Sequence, residues 1–175
     1  TTLRVQTLKM AAETGLGQFV EMAELSEGGL IIAGTNGVAR IQENLRRLNA
    51  STPWLEFLLP TNSVAENLQR PFETREGGAM VVAFDRARTD LRHLLTAGST
   101  GWRDEEISGE KCRFAWQGWD DTRWGMAFNA LYRFTPQGAN PIVRENAADS
   151  YYDVAVAANG VFWVASSAEI GRAHV

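Results

Sequence analysis

One phrase recurs along this chain, and a recurring phrase limits the fold to architectures that stack like units on one another. The template is Gly28-Gly29-Leu30-Ile31-Ile32-Ala33-Gly34-Thr35-Asn36-Gly37-Val38-Ala39-Arg40-Ile41. Shifted by 93 positions without a gap, it sets Asn36 on Asn129, Val38 on Leu131, Arg40 on Arg133 and Ile41 on Phe134. Shifted by 49, Glu27-Gly28-Gly29 falls on Glu76-Gly77-Gly78, followed by Ala79-Met80-Val81-Val82-Ala83. Shifted by 132, it falls on the stretch from Asn159 to Ser167, with Trp163 in the slot of Ile31 and Trp124. Successive copies are thus 49, 44 and 39 residues apart.

Each copy has the same internal order. An apolar-rich run comes first, at 19–25, 112–116 or 154–158, and a turn of glycine, asparagine or aspartate follows. Those turns are Glu27-Gly28-Gly29, Glu76-Gly77-Gly78, Asp120-Asp121 and Asn159-Gly160, residue types that tolerate positive φ and permit tight hairpins. A second run is rich in β-branched and aromatic residues, a third carries Val38-Ala39-Arg40-Ile41 or Leu131-Tyr132-Arg133-Phe134, and a fourth, such as 54–59, closes the unit. The second runs are apolar at consecutive positions, so both faces of each sheet should be buried. Sheets stacked face to face around an axis satisfy that demand, and 40 to 50 residues is about the length of a propeller blade. The expected fold is all-β, a partial β-propeller of about four blades of four antiparallel strands. The blades run roughly 13–60, 61–98, 108–143 and 150–168, the last one incomplete. Arginine–leucine spacing leaves room for a short helix or irregular insert near 44–50 and 88–96.

The chain has 175 residues, 45% hydrophobic and 22% charged, which is the balance of a globular protein. No apolar run approaches the ~20 residues of a membrane-spanning helix. The net charge is −4, with Lys9 and Lys111 the only lysines and no basic block, which argues against a nucleic-acid partner. A lone Cys112 excludes an internal disulfide and a paired-cysteine zinc site. At the far end, Glu169-Ile170-Gly171-Arg172-Ala173-His174-Val175 can be encoded by GAG ATC GGA AGA GCA CAC GTC. After its first base this is the start of a common sequencing adaptor, whose next codon is a stop. Residues 169–175 are therefore read as adaptor read-through and set aside from fold reasoning, which leaves His93 as the working histidine. The chain begins Thr1-Thr2-Leu3 without a leader, and both ends are read as cut from something longer.

The residues from Glu24 to Ile41 resemble the repeat of the two-component-regulator propeller family. That repeat has an Asp-Gly turn, an apolar-Trp-apolar-Gly-Thr run and a Gly-Leu-x-Arg run. Leu59-Pro60-Thr61-Asn62-Ser63-Val64 is similar to the leader that precedes each family repeat. The resemblance extends over residues 13–168 and is strongest in the first and third copies; the first has Ile31 where the family has tryptophan. It implies a periplasmic or extracellular sensing module of a membrane-bound histidine kinase or similar receptor. Its partners would be the remaining blades, a downstream signalling domain, and an unidentified small molecule or glycan.

Repeated slots imply repeated structural jobs, so Trp124 and Trp163 are expected to pack between blades, and Arg40 and Arg133 to bridge blades or meet solvent. Ligands commonly sit around a propeller axis. On the face that carries the turns between second and third runs, the candidate ligand residues are Asn36, Asp85, Arg86 and Asn129, beside Thr35 and Phe128. A longer loop at 97–110 adds Trp102 and Arg103, a stacking surface next to a carboxylate-reading fork, with Asp104-Glu105-Glu106. The next blade adds Asn146 and Tyr151. Ordinary solvated turns explain the same residues. On the opposite face, Trp116 and Trp119 flank Asp120-Asp121, a pair that suits either a turn or two-carboxylate glycoside chemistry.

Dinucleotide, phosphate-loop, Gly-x-Ser-x-Gly, zincin and EF-hand signatures are absent from the sequence, and His93 beside Arg92 reads as a surface or capping residue. The expectation is a non-enzymatic sensory propeller segment without cofactor or metal. A secreted carbohydrate-active propeller hydrolase and an interaction scaffold are the alternatives.

Overall fold

A computed structural model describes residues 6–107, 112–118, 120–144, 150–157, 161–167 and 170–173. The turn residues Asn159 and Gly160, together with Trp119 and Asn146, lie outside them. The first sheet contains β1 (Phe19–Glu24), β2 (Leu30–Gly34), β3 (Gly37–Ile41) and β4 (Leu55–Leu58). The second contains β5 (Ala65–Glu73), β6 (Ala79–Asp85), β7 (Arg92–Gly98) and β8 (Gly101–Ile107). The third contains β9 (Phe114–Gln117), β10 (Arg123–Met126), β11 (Ala130–Thr135) and β12 (Gly138–Arg144). The fourth contains β13 (Tyr151–Val156), β14 (Phe162–Ser166) and β15 (Ile170–Ala173). Every pairing is antiparallel between sequence neighbours, so each sheet is a meander. All four expected units are present as separate sheets.

The consecutive apolar residues of the second strands explain how the sheets assemble. In β6, Ala79, Val81 and Ala83 pack on the first sheet with Ile31, Ala33 and Val38. Met80 and Val82, on the other side of the same strand, pack on the third sheet with Cys112, Ala115 and Phe134. The third sheet then offers Phe114, Trp116, Trp124 and Met126 to Tyr151, Phe162 and Val164 of the fourth. Rings fill that last interface: Trp116 meets Phe162 at 5.3 Å and Trp124 meets it at 5.5 Å between centroids. Side-chain volumes thus grow from the first interface to the third, and each buried aliphatic or aromatic group contributes about 1.5–3 kcal/mol of transfer free energy.

The first sheet's remaining face is covered by its own chain. Leu16, Ile32, Ala39 and Ile41 pack there with Leu48 and Trp54, from the segment that joins β3 to β4. A 3-10 turn at Leu45–Arg47 lies in that segment, so the irregular insert expected near 44–50 is observed. The insert expected near 88–96 is limited to a loop at 86–91, because Arg92–Gly98 pairs along its length with both β6 and β8. For the same reason the described part of the expected 97–110 loop, 97–107, is a hairpin, and the second sheet continues to Ile107 rather than ending at 98.

Trp124 is buried between sheets as expected, but Trp163 is 44% exposed. Its neighbours Phe162 and Val164 take the face toward the third sheet, which leaves Trp163 on the opposite one. No further sheet among the described residues lies there. Residues Ile170–Ala173, set aside in the sequence reading, form β15 and place Arg172 opposite Trp163. Arg40 stands opposite Ile31 and Arg133 opposite Trp124 in the same way, so the Ile-Gly-Arg run occupies the third-strand register.

The paired glycines of the first two hairpins have distinct uses. Gly28 and Gly77 have φ of +86° and +76°, the left-handed values that a tight turn needs. Gly78 instead makes room for backbone, and Gly29, itself at φ +96°, does both: an added Cβ would lie 2.1 Å from the Ile41 carbonyl oxygen at Gly29 and 2.0 Å from that of Ala97 at Gly78. Gly78→Ala should therefore destabilise the protein by about 1–3 kcal/mol, through displacement of β7 from β6. Gly98→Ala, where an added Cβ meets nothing within 4 Å, should shift stability by less than about 0.5 kcal/mol. Urea unfolding followed by tryptophan fluorescence distinguishes the two.

Candidate functional site

The first strands lie where successive sheets meet, β1 against β5 and β5 against β9. Three of the four, β1, β5 and β13, are also irregular, whereas β9 pairs with β10 in unbroken register. Register breaks between Phe19 and Glu21 in β1 and between Tyr151 and Asp153 in β13, and β5 breaks twice on either side of Gln69. Asn67 and Arg70 take φ of 51° and 45° there, left-handed values that asparagine tolerates and that arginine holds under an outside constraint. The constraint is visible. The Arg70 N–H donates to Glu21 of the first sheet, and its guanidinium donates to Asp153 of the fourth. The same guanidinium carbon stands 5.8 Å from the ring centre of Phe114 in the third.

These four residues are one slot of the repeat. Glu21 shifted by 49 is Arg70, by 93 is Phe114 and by 132 is Asp153, the same offsets that relate the Gly-Gly phrase to its copies. One arginine therefore joins all four sheets through the side chains of a single repeat position. The sequence reading passed over this slot because β-bulges leave no residue signature and the four side chains differ in type. The known offsets, applied to charged residues of the first runs, would have exposed it.

Three residues further along, the same slot becomes Glu24, Glu73, Gln117 and Val156. These, with residues of the first hairpins of the first three sheets and Ala157 of the fourth, line a cleft of about 730 Å³. Ties between neighbouring hairpins hold its shape. Glu73 accepts from Ser26 N–H at 2.9 Å and Ser26 Oγ at 2.7 Å, and pairs with Arg40. Arg75 N–H donates to Gln117 Oε1 at 3.0 Å, and its guanidinium lies 3.6 Å from Asp121. Burial alone would raise the Glu73 pKa, but the Ser26 and Arg40 donors outweigh it and hold the carboxyl below its ordinary range. Gly77 leaves space for Arg40, since a Cβ there would come within 3.0 Å of Nη1. Glu24, Glu27 and Glu76 also line the cleft, and among the described residues their carboxylates meet no donor.

The expected ligand residues do not come together as a pocket. Asn36 and Asn129 are exposed in the β2–β3 and β10–β11 turns, and Arg86 pairs with Glu66 at 3.4 Å. Asp85 is 5% exposed and committed to His93, to the N–H groups of Ala87 and Arg88, and to the Arg88 side chain. Trp102 and Arg103 lie on β8, the outer strand, and not in a loop. The Trp102 indole N–H donates to the Leu58 carbonyl at 2.8 Å across the sheet boundary, and Arg103 pairs with Glu105 at 2.9 Å. Tyr151 is a core residue, packed in the third interface. His93, expected at the surface, is 1% exposed.

On the cleft side, Asp120 and Asp121 form the β9–β10 turn. Asp120 accepts from Thr122 Oγ1 at 2.7 Å, and Asp121 has φ of 65° and accepts from Gln117 at 3.2 Å. The Thr122 hydroxyl lowers the Asp120 pKa, so this carboxyl is not suited to donate a proton near neutral pH. Among the described residues no cluster of three or more His, Cys, Asp or Glu could hold a metal ion, and no helix is long and apolar enough to cross a membrane.

With side chains 13% and 14% exposed, Arg40 and Glu73 form the best-shielded ion pair at the cleft. Glu73→Ala should cost about 3–5 kcal/mol by stranding Arg40, and adding Arg40→Met should recover part of it. Because the folded Glu73 pKa is depressed, its contribution should be present above pH ~4.3 and disappear as pH falls through the folded value. Urea midpoints between pH 3 and 7 for the wild type and both variants test this.

No family profile and no curated protein matches the chain. Solved structures do. Virginiamycin B lyase from Staphylococcus aureus aligns with a TM-score of 0.55 at 14% identity, covering 88% of this chain and 51% of that one. A protein of unknown function from Bacteroides caccae gives 0.53 at 14%, over 84% of this chain and 52% of that one. The extracellular domain of a protein described as a hybrid two component system from B. thetaiotaomicron gives 0.55 at 14%, over 91% and 21%. The chain thus spans about half the length of the first two and a fifth of the third. At this identity the likeness shows the fold: an all-β chain of antiparallel sheets arranged as in propeller proteins.

Proposed function

We propose that the four sheets are blades of a larger propeller, and that this propeller is a non-enzymatic, ligand-binding sensor in the extracytoplasmic part of a bacterial signalling receptor. The observation that carries the reading is the cleft lined by residues of all four sheets, which would face the axis of such a propeller. A ligand seated there touches all the sheets at once, so its binding free energy can bias how they pack and pass to an attached domain. The structural likeness to the extracellular domain of a two component system supports a sensory role. The two-component-regulator repeat phrase points the same way.

Charge suggests the ligand class. The two arginines of the cleft are matched, Arg40 by Glu73 and Arg75 by Asp121, whereas among the described residues Glu24, Glu27 and Glu76 are not. Ala23, Pro71, Phe72 and Val156 supply apolar wall beside them. An organic cation with a hydrocarbon body fits this combination better than an anion or a neutral sugar, and 730 Å³ is within the usual range for small-molecule sites.

Two measurements test the reading. Titration calorimetry with spermidine as the probe should give saturable binding that weakens about tenfold or more in the Glu24→Gln, Glu27→Gln, Glu76→Gln triple variant, with unchanged thermal stability. Equal binding by wild type and triple variant, or none by either, removes the cleft from the proposal. Separately, the coding sequence that flanks these 175 residues in its genome should encode a transmembrane helix and a signalling domain. A hydrolase domain in that place would overturn the sensor reading.

A further inference from the structure

On the side of the second sheet away from the cleft, His93 is enclosed between two carboxylates. Its Nε2 is 3.0 Å from Asp85 Oδ2, at the end of β6, and its Nδ1 is 2.8 Å from Asp104 Oδ1, on β8. Carboxylates at these distances accept hydrogen bonds, and a neutral imidazole can donate only one. Both contacts are satisfied together only by the imidazolium. A second cation completes the arrangement: Arg88, in the 86–91 loop between β6 and β7, reaches Asp85 at 3.3 Å and Glu106 of β8 at 3.0 Å. The loop's own N–H groups at Ala87 and Arg88 cap the other Asp85 oxygen at 2.8 and 2.7 Å.

We infer that His93 is a proton-operated clasp: as imidazolium it holds the 86–91 loop to the outer strand β8, and on losing its proton to solvent it releases the loop.

The charged groups around the ring sustain this. From β6 and the loop come Asp85 and Arg88, and from β8 come Asp104 and, through Arg88, Glu106. The adjacent Arg92 stands 3.8 Å over the Phe84 ring and donates to the Thr89 and Leu91 carbonyls. With His93 charged, two cations face three carboxylates; with it neutral, one does. Burial alone would favour the neutral ring, but the two carboxylates overcome it, and the His93 pKa is raised above 6.5. A raised folded value means the stabilisation is complete below the unfolded pKa of about 6.5 and is lost as pH climbs to the folded value. Asp85, held low mainly by the His93 hydrogen bond, keeps its charge throughout that window. The clasp belongs to the turn side of the second sheet and stands independently of any ligand in the cleft.

Trypsin reads the loop directly, because Arg86, Arg88 and Arg92 all lie in or beside it. In the wild-type chain, cleavage after Arg86 and Arg88, normalised to cleavage after exposed Arg75, should rise by up to about tenfold per pH unit above 6.5 and then level off. NMR of the ring carbons, with His93 distinguished from His174 by His93→Gln, should place the His93 pKa where the rise levels off. Asp104→Asn should move both the pKa and the levelling point down by about one unit or more, and His93→Gln should remove the rise. A His93 pKa at or below 6.5, or a cleavage profile that Asp104→Asn leaves in place, overturns the inference; the wild-type titration alone decides it if a variant fails to fold.

Discussion

A strand with apolar side chains on both of its faces cannot end a structure; it has to be covered twice. Leu30-Ile31-Ile32-Ala33, Ala79 to Ala83 and Phe162-Trp163-Val164 all impose that demand, and a sheet laid against a sheet meets it for one face of each. The four meanders are therefore not independent folding units. The second sheet is buried on both sides, with Ala79, Val81 and Ala83 in one interface and Met80 and Val82 in the next. Its stability is set by its neighbours as much as by its own hydrogen bonds, as in repeat proteins generally.

Polar chemistry in such a stack is pushed to the places where the sheets converge without closing. Where the first strands converge, Glu21, Arg70 and Asp153, all on irregular strands, bring charge together from three sheets. At the hairpins just beyond, Ser26 with Glu73 joins the first sheet to the second, and Arg75 with Gln117 and Asp121 joins the second to the third. Toward the opposite turns, Asp85, His93 and Asp104 confine their charges within one sheet. The first-strand contacts link sheets, and the histidine cluster links a loop to its own sheet, so the two can respond to different stimuli.

Much of the fold was legible because side-chain period and repeat offset are both sequence properties. The offsets of 49, 93 and 132 located the second strand of each sheet, and the offset of 93 matched the register of second and third strands between the first and third sheets. The extent of the second sheet was less legible. Its β8, Gly101 to Ile107, is polar along most of its length as an outer edge strand, and Trp102-Arg103-Asp104-Glu105-Glu106 looks like a loop to any reading based on apolar runs. The candidate site was read from exposed-looking turn residues, but exposure depends on partners distant in sequence. Asp85 is consumed by His93, Trp102 by the Leu58 carbonyl and Tyr151 by the third interface. The first-strand slot depends on bulges, which are set by the competition between neighbouring strands and leave little trace in composition.

The two outermost faces of the stack are unlike, and this gives it a direction. Beneath Leu48 and Trp54, with Lys9 5.2 Å above the Trp54 ring, the first sheet carries a lid of its own making. Any body approaching from that side must first peel the lid away and expose Ile32 and Ile41 to water. Among the described residues the fourth sheet carries no comparable cover, and Trp163 stands 44% exposed on its outer face, so the two flanks of the stack oppose an added layer unequally.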